Sequence, residues 1–161
     1  MDNEGSLTAA PSQLDDSVPI SRFVRNEAVN GGGVYINALS TAFLNYGMFS
    51  NNKASQDGGG MYCSGDATLV QCDFYSNSAG TIGVGGDGGG LRVTFGTVDV
   101  LGGTFQGNSA VRAGGGLAVG GLLGGAVNAD GVAFISNTDA TGGNVYVLAG
   151  GTYNQANCTY Q

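Results

Sequence analysis

The sequence predicts an all-β fold: a single-stranded parallel β-helix of about six coils, each made of three short strands. Three observations predict it. F-x-x-N occurs five times, as Phe23 with Asn26, Phe49 with Asn52, Phe74 with Asn77, Phe105 with Asn108 and Phe134 with Asn137, at steps of 26, 25, 31 and 29 residues. A glycine cluster and an apolar–x–apolar triplet follow the copies in constant order. Glycine supplies 32 of 161 residues and proline only 2, while 42% of the chain is hydrophobic and 11% charged. That composition excludes collagen and a disordered chain, so the glycines serve turns in a folded body.

Residues 1–20 are polar and acidic, and they are assigned to an N-terminal cap or a degenerate first coil. Asp16 and Val18 fall on the strand positions seven and five before Phe23. Residues 21–161 carry the repeats. Each glycine cluster (31–33, 58–60, 88–90, 114–116, and the weaker 142–144) leads into a first strand marked by Val34/Ile36, Met61/Cys63, Leu91/Val93, Leu117/Val119 and Val145/Val147. A second strand is marked seven and five places before phenylalanine by Ala42/Leu44, Ala67/Leu69, Val98/Val100 and Val127/Ala129. Apolar residues two apart mean strands with one buried face. Gly47, Cys72, Gly103 and Val132, two places before phenylalanine, break that parity, so the chain bends there. No stretch shows a helical period, and the one alternative left open is a short N-terminal helix. An antiparallel sandwich fits less well, because its strands do not repeat one residue order at constant register.

A single coil cannot bury its own apolar face, so the coils stack at roughly 4.8 Å and make a rod core roughly 30 Å long. Stacking places like on like. The five phenylalanines form an internal file, and the five asparagines a ladder of side-chain amides. Asparagine also tolerates a left-handed corner. Ala28, Ala54, Ala79 and Ala110, two places after the asparagines, mark a tight slot that slips to Ala140 in the fifth copy. The glycines supply positive φ or close backbone approach at the next corner. The last residues, TYNQANCTYQ, start a sixth copy in which Tyr160 takes the phenylalanine place, Cys158 aligns with Cys72 and Tyr153 with Val98. The expectation is a segment of something longer, or an end covered by a partner.

F-x-x-N combined with G-G-(A/G)-apolar, over roughly positions 20–160, resembles the polymorphic outer membrane protein repeat of chlamydial autotransporter passengers and related repeat proteins. The literal Gly124-Gly125-Ala126-Val127 string lies out of register with the other clusters. The resemblance implies a right-handed parallel β-helix at a cell surface, with adhesive or structural roles; right-handed crossovers are also the general rule. Unlike the bacterial passengers, the sequence shows neither a secretion signal nor a C-terminal barrel.

Net charge is −7, and the five basic residues (Arg22, Arg25, Lys53, Arg92, Arg112) are scattered. No basic stripe exists for nucleic acid or an anionic membrane, and no apolar run is long enough for a spanning helix. The chain has no histidine, which excludes histidine triads, histidine metal sites and imidazole acid–base work. Asp57 and Asp87 each precede a glycine cluster and lie along one corner column, as part of a calcium site or, preferably, as turn-favouring aspartates. Cys72 and Cys158 fall about 14 Å apart, too far to bridge. Cys63 and Cys72 share a coil and point inward; buried free thiols are the preferred reading over a bridge. No C-x-x-C occurs. Asn157-Cys158-Thr159 fits the glycosylation sequon. The positions before the aromatics (Arg22, Met48, Asp73, Thr104, Ala133, Thr159) lack the threonine regularity of an ice-binding face.

No catalytic, cofactor-binding or metal-ligating residue is nominated. The candidate binding face is the outward column Tyr35, Tyr62, Arg92, Ala118, Tyr146; the insert 79–87 reads as a binding loop or, preferably, as a flexible bulge. The expected function is a non-enzymatic cell-surface or extracellular-matrix module. Its expected partners are a surface protein, a glycan or neighbouring β-helix modules, with no nucleic acid and no membrane insertion. The alternative is a carbohydrate-active β-helix, favoured by any groove that gathers acids beside a base.

Overall fold

The computed structural model describes residues 2–3, 6–9, 21–81, 83–141 and 143–161. All elements among them are strands, wound as a β-solenoid of about 5 turns, one fewer than the sequence suggests. The first sheet stacks Asp2–Asn3, Val34–Ile36, Met61–Cys63, Leu91–Val93, Leu117–Val119 and Val145–Val147. The second stacks Ser6–Ala9, Thr41–Asn45, Asp66–Tyr75, Thr97–Gln106, Gly125–Asp130 and Gly151–Ala156. Ser21–Val24, Gly47–Ser50, Ala133–Ile135 and Thr159–Tyr160 continue it beyond a bend. The third stacks Glu27–Ala28, Lys53–Ala54, Ser78–Ala79 and Ser109–Ala110. Every strand pair is parallel, and the register joins equivalent residues: Ala42↔Ala67↔Val98↔Val127 and Phe49↔Phe74↔Phe105↔Phe134.

Asp16 and Val18 lie outside the described residues. The partners of Ala42 and Leu44 in the first coil are Leu7 and Ala9, nearer the N-terminus than the sequence pattern places them.

The inward positions form one core, with Val34, Ile36, Leu44, Met61, Leu69, Leu91, Val93 and Val98 fully buried. The aromatic file is continuous. Ring centroids lie 4.7, 4.4, 4.4 and 5.1 Å apart from Phe23 to Phe134, and Tyr160 stacks on Phe134 at 5.2 Å. Beside it runs the asparagine ladder. Asn52 donates its backbone N–H (3.0 Å) and its Nδ2 (2.9 Å) to Oδ1 of Asn77, and Nδ2 also donates to the Phe23 carbonyl (2.7 Å). Asn77 repeats this on Asn108 and Phe49, and Asn108 on Asn137 and Phe74.

The corners divide the labour differently from the sequence-based expectation. The ladder asparagines are not left-handed. The residue before each one is: Arg25, Asn51, Ser76, Gly107 and Ser136 have φ of 56°, 55°, 52°, 63° and 51°. The parity break in the second sheet is likewise a left-handed residue, at Tyr46, Gln71, Gly131 and Asn157, with two in succession at Gly102 and Gly103. In the clusters 31–33, 58–60, 88–90 and 114–116 the first residue has positive φ, as at Gly58 (69°), and the third leaves no room for a side chain. A Cβ on Gly60 would lie 2.6 Å from the Gly90 carbonyl oxygen. The alanine slot is buried at Ala54, Ala79 and Ala110, but Ala140 is exposed; Asp139 holds that slot in the fifth coil.

Asn77→Ala or Asn108→Ala strands two buried donors and a carbonyl, so each is expected to cost on the order of 1–3 kcal/mol in urea unfolding. A change near zero would show that the amide chain carries no stability. All three cysteines are free thiols. Burial pushes Cys63 up to about 12 and Cys72 to about 11, which suppresses the reactive thiolate. Alkylation of the native protein near neutral pH should therefore label the half-buried Cys158 first and reach Cys63 and Cys72 only on unfolding, as read by peptide mass mapping.

Candidate binding face

The outward residues of the first sheet stand in the expected column, paired Tyr35↔Tyr62↔Arg92↔Ala118↔Tyr146. Tyr35 and Tyr62 stack with ring centroids 4.9 Å apart and planes 5° from parallel. Thr94 Oγ1 donates to the Tyr62 hydroxyl at 3.1 Å and fixes the ring end. One face of each ring is thus spent on the other, and a bound partner meets the half-exposed remainder of the pair.

Arg92 does not join this exposed surface: it is 5% exposed, and Ala118 beside it is buried. The Arg92 Nη1 donates to the Val93 carbonyl at 2.7 Å, while Nε lies 3.8 Å from Asp87 Oδ2. A Cβ on Gly121 would come within 3.6 Å of Nη2, which places the 120–124 loop beside the guanidinium. Burial lowers the Arg92 pKa, and the nearby Asp57 and Asp87 charges oppose that shift. The column therefore offers two separate exposed parts, the Tyr35–Tyr62 pair and the exposed Tyr146.

Asp57 and Asp87 are neighbours along a corner column, as their spacing indicates. Asn30 Oδ1 accepts the Asp57 N–H at 3.0 Å, and Asp57 Oδ1 accepts the Asp87 N–H at 2.8 Å. Asp87 is fully buried and holds Arg112 bidentately, Nε to Oδ1 at 2.7 Å and Nη2 to Oδ2 at 2.5 Å. That hydrogen bonding raises the Arg112 pKa. Both aspartates spend carboxylate oxygen on protein N–H donors, which is turn and packing chemistry. Arg112 itself was not nominated; the available signal was its place one coil beyond Asp87.

The described residues of the 79–87 insert fold back on one another. Thr81 and Gly85 form an antiparallel bridge, and Gly80 returns against Gly86, where a Cβ would fall 2.4 Å from Gly80 Cα. Gly125–Asp130 joins the second sheet, as the out-of-register glycine string requires, and the preceding 120–124 loop exposes Leu122 and Leu123. A shallow apolar groove runs from Leu122 to Leu148 and Ala149. On the second sheet a polar groove gathers Thr41, Asp66, Thr68, Thr97 and Asp99. Asp66 Oδ1 accepts the Thr97 N–H and Asp99 Oδ1 accepts Asn128 Nδ2, both at 2.8 Å. Neither groove was nominated, because outward positions do not repeat. The sequon residue Asn157 is exposed, with Nδ2 on Asp130 Oδ1 at 2.8 Å.

No protein-family model, no curated protein and no solved structure matches this chain.

Arg112→Ala leaves the Asp87 carboxylate buried without its bidentate partner and is expected to cost about 1.5–3 kcal/mol in urea unfolding. Asp87→Ala combined with Arg112→Ala should cost less than the two single changes summed. Strict additivity would mean that the pair does not couple.

Proposed function

We propose that the chain is a non-enzymatic cell-surface or matrix module, a stiff rod that presents a small aromatic face to a surface protein or glycan. The observation that carries this reading is the split between interior and exterior. The repeated residues are committed to one ladder and one aromatic file, which gives rigidity. The outward column varies and leaves the Tyr35–Tyr62 pair half-exposed, which suits recognition. Tyrosine supplies large contact area at low entropic cost. The resemblance of the repeats to the polymorphic outer membrane protein family supports the same reading.

A second reading has one observation in its favour: the groove of Thr41, Asp66, Thr68, Thr97 and Asp99 places two carboxylates among hydroxyls. It would make the chain a carbohydrate-active β-helix.

The two separate on one preparation. The module reading expects binding on a glycan or matrix-protein array, weakened at least tenfold by combined Tyr35→Ser and Tyr62→Ser with the melting transition retained. It also expects no new chain ends from pectin or alginate. Polysaccharide cleavage abolished by Asp66→Asn or Asp99→Asn would replace it with the second reading, and binding unaffected by the tyrosine changes would remove the face from it.

A further inference from the structure

The asparagine ladder runs one way. Each asparagine donates its N–H and its Nδ2 to the carboxamide oxygen of the next coil, so the last rung needs an acceptor from beyond it. For Asn137 that acceptor is Asn144, whose Oδ1 takes the backbone N–H at 3.2 Å and Nδ2 at 2.8 Å. Asn144 belongs to the same coil as Asn137, seven residues on. Its side chain stands in for the asparagine that a further coil would have supplied.

Asn144 occupies the third place of its glycine cluster. In the four earlier coils that place is Gly33, Gly60, Gly90 and Gly116, and at each a Cβ would lie 2.6 Å from a carbonyl oxygen of the following coil. A side chain at this place is therefore incompatible with a coil stacked on it in the same geometry. The alanine slot of the fifth coil breaks the rule in the same direction. Asp139 fills a position that is buried alanine in the three preceding coils, and its Oδ2 accepts the Gly114 and Gly115 N–H groups. Its Oδ1 accepts the Thr141 N–H and hydroxyl (both 2.7 Å) and the Gly143 N–H (3.0 Å). The core positions after them turn polar as well. Tyr153 and Gln155 stand in register with Val127 and Ala129, and the Tyr160 hydroxyl bonds both the Tyr153 hydroxyl and Gln155 Oε1. The Asn137–Asn144 and Tyr153–Tyr160–Gln155 groups thus satisfy one another at this end of the described residues, and Asp139 ties it to the coil before.

We propose that the fifth coil is a built terminator, with Asn144 as its determinant: it closes the ladder and blocks in-register docking of another coil, whether continued from Gln161 or offered by a second copy of the chain. The device is independent of what the outer face binds.

The test appends a copy of residues 107–135 after Gln161. That segment continues the register, because Gln106 and Ile135 hold the place of Gln161. Amide hydrogen exchange then reads the added segment in the native background and with Asn144→Gly. The added segment should exchange like an unfolded chain beside Asn144 and gain at least tenfold protection with Asn144→Gly. Protection in both backgrounds overturns the block, and protection in neither removes Asn144 as its determinant. Without the appended segment, Asn144→Ala should speed exchange of the Asn137 amide at least tenfold while the Asn77 amide is unchanged. An unchanged Asn137 amide would show that the ladder is not closed there.

Discussion

The structure depends on one requirement: the backbone N–H groups and ladder carboxamides of each coil must find acceptors in the coil beside it, at the spacing of hydrogen-bonded strands. Everything else is sized by that spacing. Coils so close leave no room for Cβ at the third glycine of a cluster, where the neighbouring carbonyl would be 2.6 Å away. They bury the alanine slot at Ala54 and Ala79 completely or nearly so. They bring the phenylalanine rings to 4.4 Å through the middle of the file. The aromatic file is therefore a consequence of backbone pairing that adds dispersion and apolar burial to it, rather than a separate cause of the fold.

This explains why the interior was legible in the sequence. Stacking in register turns a spatial column into a repeated letter, so Phe49, Phe74 and Phe105, or Asn52, Asn77 and Asn108, announce their own neighbours. Corners obey a different rule. The left-handed positions Tyr46, Gln71, Gly102, Gly131 and Asn157 share a backbone conformation but span four residue types, so no single letter marks the corner. Assigning the left-handed corner to the ladder asparagines merged two adjacent roles. Asparagine is needed for its amide, and the residue before it absorbs the turn. In the first coil Leu7 and Ala9 pair with Ala42 and Leu44, while Asp16 and Val18 lie outside the described residues.

The outward face was legible in direction but not in exposure. Strand parity places Tyr35, Tyr62, Arg92 and Tyr146 in one column, and they stand there. Parity carries no information about what lies over a column. Arg92 is buried beside the 120–124 loop and the Asp87–Arg112 pair, and those features come from segments that depart from the repeat. The exposed Leu122 and Leu123 and the groove at Asp66 and Asp99 belong to the same class of non-repeated detail. These features lie where the period fails, which is where a period-based reading is blind.

The one-way ladder also makes the two ends of the rod chemically unlike. All the described rungs donate toward the C-terminal coil, so their amide dipoles align and polarise one another. At the N-terminal end Asn26 donates forward to Asn52, and its own Oδ1 receives no amide among the described residues. At the other end Asn144 turns the last donors inward. A rod with one end closed and the opposite end of different hydrogen-bonding sense cannot make a self-complementary contact between its two ends. A contact between the unlike ends of two copies is heterologous, and heterologous contacts that do not close build filaments.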